Sequence, residues 1–222
     1  MGLLDTLLGR TKPVRANLDA LFALPSAAVT LQTAAGLVPS GAAGVCWKPP
    51  AGQSAEDVRR EIGELLDIPD EGTTAPGTTS GAPDAAASTS QAASGVVPAA
   101  PSPLGQAEDS YGFQWLLVDD PDVEQLVTRV HLVNTTLSEN GWGPLLLCSV
   151  FRFVPAPEAG ADVRPLFLVY LYKRGTFYPF APTGKESRDN ELELRIRSTL
   201  GSDLPVEQDL TRWFPLWELP VH

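Results

Sequence analysis

The chain has 222 residues, 43% of them apolar, and a formal net charge of −11 at neutral pH. That composition suffices for a conventional buried core and places the chain in the globular class. It holds no apolar run near the roughly 20 residues of a membrane-spanning helix, and no basic stripe with interleaved aromatics to neutralise phosphates, so nucleic acid is not an expected partner.

The acidity is local. Between Arg60 and Arg129 there is no Lys or Arg, while twelve acidic residues fall between Glu61 and Glu124, so the rest of the chain sums to +1. The start "MGLLDTLLGRTKP" lacks a long apolar region followed by a small-residue cleavage site, which makes a cytoplasmic location the default expectation. Within it Leu3, Leu4, Leu7 and Leu8 form a short apolar stripe followed by Arg10, Lys12 and Arg15. Such a stripe suits docking on a partner, or membrane contact as an interfacial helix.

Next, "NLDALFAL" offers Asn17 as a cap for a helix with Leu18, Leu21 and Phe22 on one side. "AAVTLQTA" and "GAAGVCWKP" read as paired strands around a turn that includes Pro39, Ser40 and Gly41. Ser54 then starts a helix through Leu66, with Val58, Ile62, Leu65 and Leu66 on one face and Asp57 in a capping-box position. Residues 69–109 are mostly Ala, Ser, Thr, Gly and Pro, with no aromatic. They bury too little apolar surface to offset their ordering entropy, so a disordered insertion is expected. Loop-closure entropy grows only logarithmically with length, which favours one domain, with its core in 16–68 and 110–217, interrupted by that loop.

After the insertion, "YGFQWLLVDD" alternates as a strand with one aromatic face. Asp120 and Pro121 lead into a helix whose Val123, Leu126, Val127, Val130, Val133 and Leu137 recur at three and four, stopped by Asn140-Gly141. "PLLLCSVFRFV" and "PLFLVYLYKR" are apolar on nearly every residue, as central strands covered on both faces are. "TFYPFAP" is a shorter strand limited by Pro179, a last helix runs from about Asp189 to Leu200, and "TRWFPLW" packs as a tail. Short connections between strands imply a mostly antiparallel sheet with flanking helices, an α+β protein. The layout resembles the fold of type III secretion chaperones and their YbjN-like relatives, an analogy of pattern that carries no function.

Chemistry-bearing motifs are absent: no HExxH, GxGxxG, phosphate loop, GxSxG elbow or CxxC occurs. Neither a catalytic residue nor a metal or cofactor site is expected. His131 falls on the flank of a helix, and Asp119, Asp120, Asp122 and Glu124 suit a helix N-terminus better than a metal cluster. Cys46 and Cys148 lie in strand-like segments and read as buried thiols, with a disulfide open only if the strands are neighbours.

The stretch "LFLVYLYKRGTFYPFAP" supports two compatible readings. One is a buried hairpin with Lys173-Arg174-Gly175 as its exposed tip, Gly175 supplying a positive φ. The other is a docking surface built from Tyr172, Lys173, Arg174, Phe177, Tyr178 and Phe180, cationic and aromatic groups of the sort enriched at interfaces.

Together "MGLLDTLLGRTKP", "LFALPSAAVTLQTAAGLVPSG", "YLYKRGTFYPFAP", "RDNELELRIRSTLGSDLPVE" and "RWFPLW" resemble the PspA-associated protein PspAB family of actinobacteria. The likeness spans residues 1 to about 68 and 110 to 217. It implies a small cytoplasmic accessory of the phage-shock, envelope-stress system, associated with a PspA-like protein and, in genomic context, with the membrane metalloprotease HtpX. It supplies no catalytic residue. The functional expectation is a non-enzymatic adaptor that works by protein binding. The alternatives are a peripheral membrane protein held at the inner face of the membrane by the N-terminal leucines, and an enzyme or ligand-binding protein with an unrecognised site.

Overall fold

The computed structural model describes residues 16–50, 52, 55–66 and 104–222. Leu3, Leu4, Leu7 and Leu8, and Ser54, lie outside them. A 3-10 helix, Leu18–Ala23, leads directly into α1, Leu24–Ala35. The expectation of a strand over "AAVTLQTA" is therefore corrected. Val29, Thr30 and Thr33 favour extended backbone, but Pro25 sits in the first turn, where its missing N–H costs nothing, and Leu24, Ala27, Ala28 and Leu31 are buried at helical spacing. Gly36 closes the helix in the left-handed region, φ +65°, donating its N–H to the Gln32 and Leu31 carbonyls. By length and composition Leu18–Ala35 also passes as apolar enough to cross a membrane, with a mean hydropathy of 1.2. Its apolar residues Leu21, Leu24 and Leu31 are fully buried against the sheet and its neighbours.

β1, Leu37–Trp47, is one long strand rather than half of a pair. It is followed by α2, Ala55–Leu65; β2, Gly105–Glu108; β3, Gln114–Asp119; α3, Val123–Glu139; β4, Leu146–Pro155; β5, Leu166–Leu171; and β6, Thr176–Phe180. The short strands β7, Pro182–Gly184, and β8, Ser187–Arg188, precede α4, Asn190–Leu200. The six longer strands form an antiparallel sheet in the order β2-β3-β1-β4-β5-β6. The α+β expectation thus holds. The edge strand β2 lies inside the range expected to be an insertion. Its Gly105, Gln106, Ala107 and Glu108 pair with Leu117, Leu116, Trp115 and Gln114, so backbone pairing orders a segment whose side chains carry no such signal.

β3 and β4 flank β1 on either side, and α3 crosses β1 to join them. Asp122 caps α3 by accepting the Glu124 and Gln125 N–H groups at 2.9 and 3.0 Å, the capping role expected of this acidic run. Buried Asn134 fixes α3 on the sheet by donating to the Ser149 hydroxyl at 2.9 Å and to the Val130 carbonyl at 2.8 Å. Odd residues of β4 therefore face α3. Cys148, Val150 and Arg152 point to the other side, together with Gly44, Cys46 and Trp115.

Among the described residues, the chain's own C-terminal segment covers that second sheet face. Gly44 makes room for this cover, since a Cβ there would lie 2.8 Å from Val221 Cγ2 and 3.2 Å from Trp115 Cε3. Gly44→Val is expected to destabilise the fold by about 1–3 kcal/mol through overpacking, lowering the thermal midpoint by several degrees. An unchanged midpoint in a calorimetric scan would show that Val221 does not pack there.

Candidate functional site

The hairpin of β5 and β6 turns at Lys173, Arg174 and Gly175, with Gly175 at φ +68° as expected. A Cβ on Gly175 would lie 2.9 Å from that of Asn17, so both its conformation and its close approach require glycine. Lys173 and Arg174 are exposed. The four aromatic residues expected beside them on a docking surface are not. Tyr172, Phe177, Tyr178 and Phe180 are at most 4% exposed, and the surface reading is corrected for all four. Tyr172 donates its hydroxyl to Ser138 Oγ at 2.9 Å, and Phe177 packs 5.1 Å from the Tyr170 ring. Tyr178 and Phe180 do face away from the helices, but the chain's own tail lies on them.

Three sets of bonds hold that tail. Its first stretch joins the edge of β6: Phe177 donates its N–H to the Pro205 carbonyl at 2.8 Å, and Glu207 donates to the Phe177 carbonyl at 2.7 Å. The Glu207 carboxylate, 3% exposed, accepts from Arg174 Nε, from Thr176 Oγ1 at 3.0 Å and from the Asp209 N–H at 3.1 Å. Burial alone would raise its pKa, but these donors outweigh burial and hold the group below the ordinary carboxylate value. Further along, Trp213 stacks 5.9 Å from Tyr178 and donates Nε1 to the Glu207 carbonyl at 3.1 Å. The Tyr178 hydroxyl donates to the Phe214 carbonyl at 2.8 Å, and burial keeps that phenol protonated. Arg188 reaches across with Nη1 to the Trp213 carbonyl at 2.8 Å while Nε binds buried Glu193 at 2.9 Å, its guanidinium 5.0 Å above the Phe180 ring.

Beyond Trp213 the tail and the sheet border a cleft of about 540 Å³. Phe167 and Trp217 form apolar walls, Tyr111 and His222 stand at its rim, and Arg152 reaches it from the middle of β4. Lys185, Glu186 and Glu218 complete the charged lining. Glu186 and Glu218, at φ +53° and +59°, are the described non-glycine residues with left-handed backbone. Such conformations are costly and concentrate at sites where the surrounding structure enforces them. Sequence reasoning missed this cleft. The available signal was Arg152, a lone cation inside the otherwise apolar run "LLLCSVFRFV".

The remaining candidates lie elsewhere. His131 lies with its ring tilted against that of Phe22, centroids 4.8 Å apart, and Nε2 4.0 Å from Asp19, on the helical side of the molecule. Cys46 and Cys148 are free, buried and directly opposite in the β1–β4 register. Their mutual hydrogen bond, reinforced by burial, pushes the Cys46 thiol far above its ordinary pKa. Among the described residues no group of three or more His, Cys, Asp or Glu side chains is placed to hold a metal ion.

The architecture is that of an α+β protein whose six-stranded sheet carries helices on one face and its own terminal strap, with a mixed-charge cleft, on the other. A family model described as PspAB, PspA associated protein B, matches residues 1–81 and 89–221, and the chain belongs to that family. Comparisons with curated proteins and with solved structures give no match.

Glu207 provides a test of the strap. Its folded pKa lies below the ordinary value of 4.5, so its contribution is complete at neutral pH and is lost as the pH falls below 4.5 and through the folded pKa. Glu207→Gln is expected to lower stability at pH 7 by about 1–3 kcal/mol and to flatten the acid limb of the stability curve. Denaturant titrations from pH 7 to 3 that superimpose for the two proteins would contradict this role.

Proposed function

We propose that this chain acts as a non-enzymatic accessory of the envelope-stress response, binding a PspA-like protein and influencing its activity through that contact. The observation that carries the reading is the family match over nearly the whole chain, in a family described by its association with PspA. The construction of the molecule supports it. Its largest aromatic side chains are fixed in the core and beneath the strap, while charged and aromatic groups converge in a cleft open to solvent. The proposed place of action is the cytoplasm, at the inner face of the membrane. An HtpX-type protease as a further partner, and membrane contact through residues 1–15, are secondary parts of the proposal. Neither draws support from the described residues.

The burial of Tyr178 changes how a binding surface is probed. Tyr178→Ala opens a core cavity and costs about 3–5 kcal/mol, as aromatic truncations do, so lost binding in that variant reports unfolding. A pull-down of a purified PspA-like protein with the full chain is expected to recover a complex, and the exposed-tip variant Lys173→Ala is expected to retain the wild-type thermal midpoint. Absence of any complex at micromolar concentrations of both proteins would remove the proposal.

A further inference from the structure

Arginine pairing singles out one place on this molecule. The described half-buried arginines are Arg59, Arg129, Arg152, Arg188 and Arg197. Arg59 lies 3.9 Å from Glu108, Arg129 3.7 Å from Asp120 and Arg188 2.8 Å from Glu193, while Arg197 donates to Gln208 at 2.6 Å. Arg152 has no acceptor among the described residues. Its guanidinium is half-buried and opens onto the cleft, so its N–H donors are free for an acceptor from outside the chain. Its flat fork suits a carboxylate, which it can hold through two parallel bonds.

The surroundings narrow the occupant. Phe167, directly opposite Arg152 in the β4–β5 register, and Trp217 offer apolar contact beside the guanidinium, and Lys185 adds a second cation at the rim. Glu186 and Glu218 stand in the same lining. Those two carboxylates oppose approach to a continuous anionic surface such as a layer of lipid headgroups. They leave room for a single inserted carboxylate. A cleft of about 540 Å³ accommodates a few side chains of a peptide and falls in the range of specific binding pockets.

We infer that the Arg152 cleft is a docking site for an acidic peptide segment of a partner protein, its carboxylate paired with Arg152 and a neighbouring apolar side chain packed against Phe167 and Trp217. This deepens the adaptor reading and rests on it for the identity of the partner alone.

The test uses the full chain and two kinds of probe. One is a capped, fluorescent peptide of alternating Glu and Leu, with a Gln/Leu counterpart of equal length; the other is the purified PspA-like protein. The Glu peptide is expected to bind at least about tenfold more tightly than the Gln peptide, to weaken with added salt, and to lose its advantage in Arg152→Glu and Arg152→Gln. Arg60→Glu, an equal charge change on exposed α2, is expected to bind as the wild type does. Matched circular dichroism and melting curves establish that the Arg152 variants fold. If the Glu and Gln peptides bind alike, or if folded Arg152 variants bind the Glu peptide normally, the inference is overturned whatever the partner protein does. If the peptide behaves as expected while the PspA-like protein fails to bind, the cleft assignment stands and the choice of partner falls. Capture of the wild-type chain by phosphatidylglycerol vesicles, abolished by Arg152→Glu and unaffected by competing Glu peptide, would assign the cleft to lipid headgroups and overturn the peptide reading.

Discussion

Everything on the non-helical side of this protein depends on how residues 205–222 are fastened across the sheet. The fastening is polar at its anchor points. Two carboxylates with almost no exposure, Glu207 and Glu193, are each met by an arginine and by backbone N–H donors. Buried charge of this kind adds little net stability when paired, but loss of either partner leaves an uncompensated ion, so the arrangement specifies one docked position for the strap. Hydrophobic cover follows from it. Trp213 stacks on Tyr178, Trp217 meets Phe180 at 5.4 Å, and Val221 fills the space Gly44 leaves open.

This fastening redistributes the roles of the hairpin. Arg174, exposed on one side, is bound on the other to Glu207 and therefore belongs to the strap as much as to the surface. The aromatic residues beside it stabilise the fold. Docking chemistry consequently moves to the cleft that the strap borders with β4 and β5, where Arg152 has no acceptor among the described residues. Cys46 and Cys148 lie on the same sheet face as that cleft, buried within the core.

Some elements were legible because periodicity and local chemistry agreed. α3 carries Leu126, Val127, Val130, Val133 and Leu137 inward at helical spacing behind the Asp122 cap, and β4 and β5 are continuous apolar runs in the middle of the sheet. α1 was misread because its β-branched residues point outward, Val29 being 63% exposed, while the decisive spacing is carried by alanines, which signal weakly. β2 was missed because an edge strand recruited by backbone hydrogen bonds needs no apolar side chains. The hairpin was located correctly, and its aromatic side chains were assigned to a surface because alternation tells which residues share a face, not what lies on that face.

The α+β class, the central strands, the glycine at the hairpin tip and the family are all legible in the residues alone, since each follows from residue pattern within a short window or from likeness along the whole chain. What covers the second sheet face, and which of the half-buried described arginines has no partner, emerge from the assembled fold alone. Those facts depend on contacts such as Arg174 with Glu207 and Gly44 with Val221, between residues far apart in the chain. Pairing at such distances is set by the energetics of burying charge and excluding water over the assembled fold, and no local pattern records it.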